Sequence, residues 1–117
     1  LLQVEYTDLR YNLDAKALLL RTYYDMDEEV AMLSLADAFR QYIKRNKEMT
    51  EYQKRGYYNL IKISRITYRL KSNIGFISQS RWNSGVEKLK DKIIKTDPIF
   101  NIVWLQEKIK ELEALKR

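Results

Sequence analysis

The chain has 117 residues, 45% of them hydrophobic and 32% charged, with a formal net charge of +6; that is one domain's length and enough to bury a core. It holds no Cys and no His, which excludes disulfides, thiolate nucleophiles and His-based triads, and leaves zinc without its usual ligands. With 3 Gly and 1 Pro the chain has few breakers, and the spacings below make its long stretches helical.

Residues 1–12 read either as the end of a preceding helix or as a connector. Helix A is predicted from Leu13 to Met26, with Asn12 or Asp14 as its cap. Ala17, Leu18, Leu19, Leu20, Tyr23 and Tyr24 cover most of its girth, so it needs neighbours on more than one side. The turn falls at Asp25–Asp27. Helix B follows from Glu28 to Asn46, with acids in its first turn and Lys44 and Arg45 in its last, as the helix dipole favours. Ala31, Leu35, Ala38 and Tyr42 form one row, whose alanines would let helix A approach closely; Met32, Ala36, Phe39 and Ile43 form the adjacent row.

Helix C starts with the capping-box pattern Thr50-Glu51-Tyr52-Gln53 and runs to Lys71. Gly56, Leu60, Ile63, Thr67 and Leu70 line one face, and Tyr57, Ile61 and Tyr68 a second, which suits a helix packed between layers. Residues 72–84 are rich in small polar residues and read as a loop. Ser84 is the expected cap of helix D, Gly85 to Lys95, with Val86, Leu89, Ile93 and Ile94 inward and Asp97-Pro98 as its stop. Helix E is predicted from Ile99 to Leu115, with Ile102, Leu105, Ile109 and Leu112 on one stripe beside Trp104.

Charge is unevenly spread. Residues 1–39 carry net −5, residues 40–71 net +8 and residues 72–117 net +3. A basic middle beside an acidic start can steer an acidic partner or a nucleic acid; equally, both are ordinary solvated faces.

Leu19 and Tyr23 on the first helix, and Ala31, Leu35 and Ala38 on the second, give the 13–46 hairpin a pattern that resembles the tetratricopeptide (TPR) repeat. Two features depart from it: Leu20 stands where a small residue belongs, and no Pro closes the unit. Arg21-Thr22-Tyr23-Tyr24 is echoed 34 residues later by Arg55-Gly56-Tyr57-Tyr58, but the echo then fails, with Arg65, Arg69 and Ser72 falling on the small positions. The run from Tyr11 to Ile63 and the closing VWLQEKIKELEAL also look like the C-terminal part of uncharacterised TPR-like helical-repeat proteins of Bacteroidetes-type bacteria. That resemblance implies a helical-repeat fold and a bacterial origin, and it carries over no activity and no binding residues.

Among candidate sites, Asp25, Asp27, Glu28 and Glu29 lack the central Gly and the length of a calcium loop, and the dipole already accounts for acids at a helix start. Arg55, Tyr58, Lys62, Arg65 and Arg69 share one narrow face of helix C. A basic stripe holding an aromatic can grip a phosphate backbone and stack a base, or simply face solvent. Of the 9 Tyr residues, Tyr23, Tyr24, Tyr57 and Tyr68 read as core, while Tyr6, Tyr11 and Tyr52 stay open. No carboxylate pair, Gly-rich phosphate loop or nucleophile elbow stands out, so no catalytic residue, metal or cofactor is expected.

The expectation is therefore an all-α chain, a TPR-like helix-turn-helix stack or an irregular five-helix bundle. Residues 1–117 would form a single helical domain: a 13–46 hairpin, a long basic helix at 50–71, a loop at 72–84 and a C-terminal hairpin at 85–116. The expected role is a non-enzymatic protein-interaction or structural scaffold module with a protein partner; the alternative is a basic nucleic-acid-binding domain. No membrane insertion is expected. The lack of Cys suits the cytoplasm, and the Leu1-Leu2 start suggests a piece of a longer protein.

Overall fold

Five α-helices follow one another: α1 (Leu2–Asp25), α2 (Glu29–Arg45), α3 (Glu51–Ser72), α4 (Gln79–Lys95) and α5 (Ile102–Ala114). The computed structural model describes the backbone of residues 2–115 and the side chains of residues 8–115; no strand occurs among them, so the chain is all-α as expected. It divides into two compact units, Leu1–Tyr42 and Ile43–Arg117.

In the first unit α1 starts at Leu2, well before the predicted Leu13. No Gly or Pro interrupts that stretch, so the helix propagates through it. Asn12 and Asp14 are internal residues rather than caps. Asn12 Nδ2 donates to the Asp8 carbonyl at 3.0 Å, one turn back, so its side chain is satisfied within the helix. Leu9, Leu13, Ala17, Leu20 and Tyr24 form the buried stripe. The apolar girth predicted for this helix does not all turn inward, because Leu18 and Leu19 are exposed.

The α1–α2 turn is a Schellman closure. Asp27 sits at φ 56°, its N–H donates to Tyr24 O at 3.1 Å, and the Glu28 N–H reaches Tyr23 O at 2.9 Å. On α2 the buried row is Met32, Ala36 and Phe39. The neighbouring row expected to meet α1 stays shallower: Ala31, Leu35 and Tyr42 are half-buried and Ala38 is exposed. Met and Phe remove far more apolar area from water than Ala does, so the larger row takes the interior. Tyr42 instead receives the Lys16 ammonium 4.2 Å from its ring centroid.

The second unit opens with the end of α2. Asn46 Oδ1 then accepts the N–H groups of Glu48 (2.8 Å) and Met49 (3.1 Å), an Asx turn that leads into α3. The capping box forms as read: Gln53 N donates to Thr50 Oγ1 at 3.1 Å, and Thr50 N to Gln53 Oε1 at 3.0 Å. Gly56, Leu60, Ile61, Ile63, Ser64, Thr67 and Tyr68 bury a broad arc of α3, since both α4 and α5 pack on it.

Two glycines set those approaches. A Cβ on Gly56 would meet the Phe100 ring at 2.6 Å, and one on Gly85 would meet Leu70 Cδ1 at 2.9 Å. Phe100 also donates its N–H to Gly56 O at 3.2 Å, and Asn59 Nδ2 donates to Pro98 O at 2.8 Å. The segment between α4 and α5, with its cis Asp97–Pro98 bond, is thereby fastened to α3.

The predicted 72–84 loop is too long. Residues 79–84 belong to α4, which Ser78 rather than Ser84 caps, its Oγ accepting Arg81 N at 3.2 Å. Trp82 joins Val86, Leu89 and Ile93 at 4-3-4 spacing, and burying the indole extends the helix backward. Ile94, expected inward, is 81% exposed. α5 begins at Ile102 instead of Ile99, because residues 96–101 form the fastened segment. Trp104, Leu105, Ile109 and Leu112 are buried as the stripe predicts, with Ile102 half-buried.

Candidate functional site

The basic stripe lies wholly on α3, in the second unit. Arg55, Lys62 and Arg69 are exposed, while Tyr58 and Arg65 are half-buried. Helix periodicity thus produces a ridge of three solvent-facing cations with two side chains tucked between them.

At its C-terminal end the ridge meets α4. Arg69 lines a groove of about 270 Å³ together with Lys88 and Lys92. Ile66, Leu70 and Leu89 supply its apolar lining, and Gly85 sits beside the Leu70 side chain. Sequence reasoning missed Lys88 and Lys92. Their i, i+4 spacing on one helix face is readable, but only the α3–α4 packing brings that face beside Arg69.

On this unit three lysines pair with carboxylates, whereas Arg55, Lys62 and Lys110 have no carboxylate partner among the described residues. Lys90 binds Glu113 at 3.1 Å and approaches Glu87 at 3.7 Å; Lys95 binds Asp91 at 2.9 Å and Lys108 binds Glu111 at 3.0 Å. The hydrogen bond to Glu113, followed by the charges of Glu113 and Glu87, holds the Lys90 ammonium above its ordinary range. No carboxylate partner of Arg69, Lys88 or Lys92 occurs among the described residues.

The charge split follows the two units. Residues 1–42 carry four basic and eight acidic side chains, net −4; residues 43–117 carry eighteen and eight, net +10. The acidic turn of Asp25, Asp27, Glu28 and Glu29 is exposed throughout. Among the described residues no group of three or more His, Cys, Asp or Glu is placed to hold a metal ion.

Both units show apolar side chains to solvent, singly in the second (Phe76, Ile94, Val103) and in rows in the first. Tyr11 (74% exposed) and Leu18 (59%) lie two turns apart on one face of α1, with Leu19 beside them. Met26, Val30 and Leu33 are exposed at the turn and along α2. Of the tyrosines expected in the core, Tyr24 and Tyr68 are buried and Tyr23 and Tyr57 half-buried; Tyr57 packs edge-on against Phe100, 4.8 Å between ring centroids. Tyr52 is exposed, and the Tyr6 side chain lies outside the described residues. No helix among the described residues is long and apolar enough to cross a membrane.

No family model, curated protein or solved structure matches this chain. What bears on its function is therefore the chemistry of these surfaces.

Proposed function

We propose that the chain is a non-enzymatic helical module that binds or holds other proteins. One observation carries this reading: large apolar side chains face solvent on the first unit, with Tyr11, Leu18 and Leu19 along α1 and Val30 and Leu33 along α2. Solvent-facing apolar rows of this kind mark association surfaces. The want of Cys and His, which removes the commonest nucleophile and base chemistry, supports the same reading. The likeness to helical-repeat proteins, which bind along exposed helix faces, points the same way. Its residue positions give less support: Leu19 and Ala38, placed by that pattern at packing positions, are exposed.

Photo-crosslinking in the native host tests this. A crosslinker placed at position 18 or 33 should give a discrete protein adduct, and one at exposed Glu107 on α5 should not. Adducts with nucleic acid alone, or none above the Glu107 control, would overturn it. The alternative of a basic nucleic-acid binder rests on the +10 charge of residues 43–117 and the exposed cations Arg55, Lys62 and Arg69. It requires an affinity for oligonucleotides that falls steeply with salt and weakens when Arg65 and Arg69 become Ala.

A further inference from the structure

We infer that the α3–α4 groove is a docking site for an acidic amphipathic helix, one that seats an apolar side chain in the groove and sets carboxylates against Lys88, Lys92 and Arg69. This rests on the proposed interaction role, but it lies on the second unit and on different residues from the apolar rows of the first.

The argument is charge complementarity around an apolar depression. Ile66, Leu70 and Leu89 line about 270 Å³, room for one or two aliphatic side chains. Three cations surround that lining without a carboxylate partner among the described residues; other cations of this unit are unpaired too, but these three converge on one apolar depression. Asp91, between Lys88 and Lys92 in sequence, is engaged by Lys95 at 2.9 Å. Lys88 and Lys92 stand one helical turn apart, about 6 Å, which matches carboxylates at i and i+4 of an incoming helix. An amphipathic helix joins those carboxylates to an apolar anchor between them, the helix-in-groove mode. A nucleic-acid backbone would meet the cations but leave the apolar lining unused.

The test uses the whole chain and a labelled, helix-stapled peptide bearing Leu at i and i+3 flanked by Glu pairs one turn apart, read by fluorescence anisotropy. Binding should weaken at least about tenfold when the peptide's Glu residues become Gln, and again when its Leu residues become Ala. The Lys88→Glu/Lys92→Glu variant should lose at least about tenfold in affinity, whereas Lys47→Glu, at an exposed lysine outside the groove, should change it less than about twofold. Circular dichroism confirms that both variants are folded; exposed or half-buried lysines are not needed for the core.

Peptide binding that ignores Lys88→Glu/Lys92→Glu overturns the site. Binding that needs Glu but not Leu reduces it to non-specific charge attraction and overturns the docking helix. No binding up to about 1 mM, equivalent to roughly −4 kcal/mol, overturns it outright. None of these results touches the crosslinking expected from positions 18 and 33, so the two readings fail separately.

Discussion

Asp27 occupies the left-handed position that closes α1, where glycine is the usual choice. Aspartate tolerates that backbone better than a branched residue does. Asp27→Val should lower stability in urea by about 1–2 kcal/mol relative to Asp27→Gly, and equal midpoints for the two variants would contradict the assigned geometry. Ser64 poses the opposite case. Its hydroxyl is buried in α3 with no hydrogen-bond partner among the described residues, while Thr67 nearby satisfies its own by donating to Ile63 O at 2.7 Å. Ser64→Ala removes an unsatisfied group and adds a better helix former, so it should raise stability by about 0.5–1.5 kcal/mol. A loss on thermal or urea unfolding would show that the hydroxyl is engaged. Neither residue is conspicuous in the sequence: a turn at Asp25–Asp27 is readable there, but which of its residues takes positive φ is not.

Among the elements, the sharpest contrast is between two glycines that look alike in sequence. A methyl on Gly56 meets an aromatic ring held by its own N–H bond to α3, whereas a methyl on Gly85 meets the movable end of Leu70. Gly56→Ala should therefore cost about 1–3 kcal/mol despite the gain in helix propensity, and less when Phe100 is also replaced by Leu. Gly85→Ala should be neutral or stabilising by up to about 1 kcal/mol. Urea titrations of these three variants, with Phe100→Leu alone as the reference for the double one, decide the matter, and similar losses at both glycines would refute the packing description. Ile93 and Ile94 separate in the same way. Both belong to the apolar set predicted for this helix, yet one is buried and the other 81% exposed. Ile93→Ala should cost about 2–4 kcal/mol and Ile94→Ala less than about 0.5 kcal/mol. The helix itself is legible from Val86, Leu89 and Ile93 at 3-4 spacing, but its start is not. The weight of Trp82 pulls residues 79–84 into the helix, and a run of Ser, Gln and Asn conceals that.

At the scale of the molecule, charge is divided between an acidic unit and a strongly basic one. Replacing Leu18 and Val30 together with Gln should leave the unfolding midpoint almost unchanged, because they are 59% and 80% exposed, while reducing the uptake of an apolar dye. A large loss of stability would mean that those side chains are buried after all. Lys90 adds a dependence of stability on pH at the alkaline end. It titrates above the ordinary range when folded, so its contribution is whole below that range and disappears as pH rises through the raised value. The Lys90 and Glu113 side chains are both well exposed, so Lys90→Gln should alter the alkaline limb by a small amount.

The all-α class, the capping box on α3, the α4 stop before Pro98 and the buried stripe of α5 follow from the sequence alone, because each depends on neighbours within one or two helical turns. Other features required the folded chain. Burial of the Met32–Phe39 row in place of its alanine neighbour depends on which of two adjacent rows removes more apolar area from water. The seat of Phe100 on Gly56, and the meeting of Arg69 with Lys88 and Lys92, depend on approaches between helices far apart in sequence. Local spacing sets which residues share a helix face; only packing against other helices decides which face is covered and which cations are left together without counter-charges.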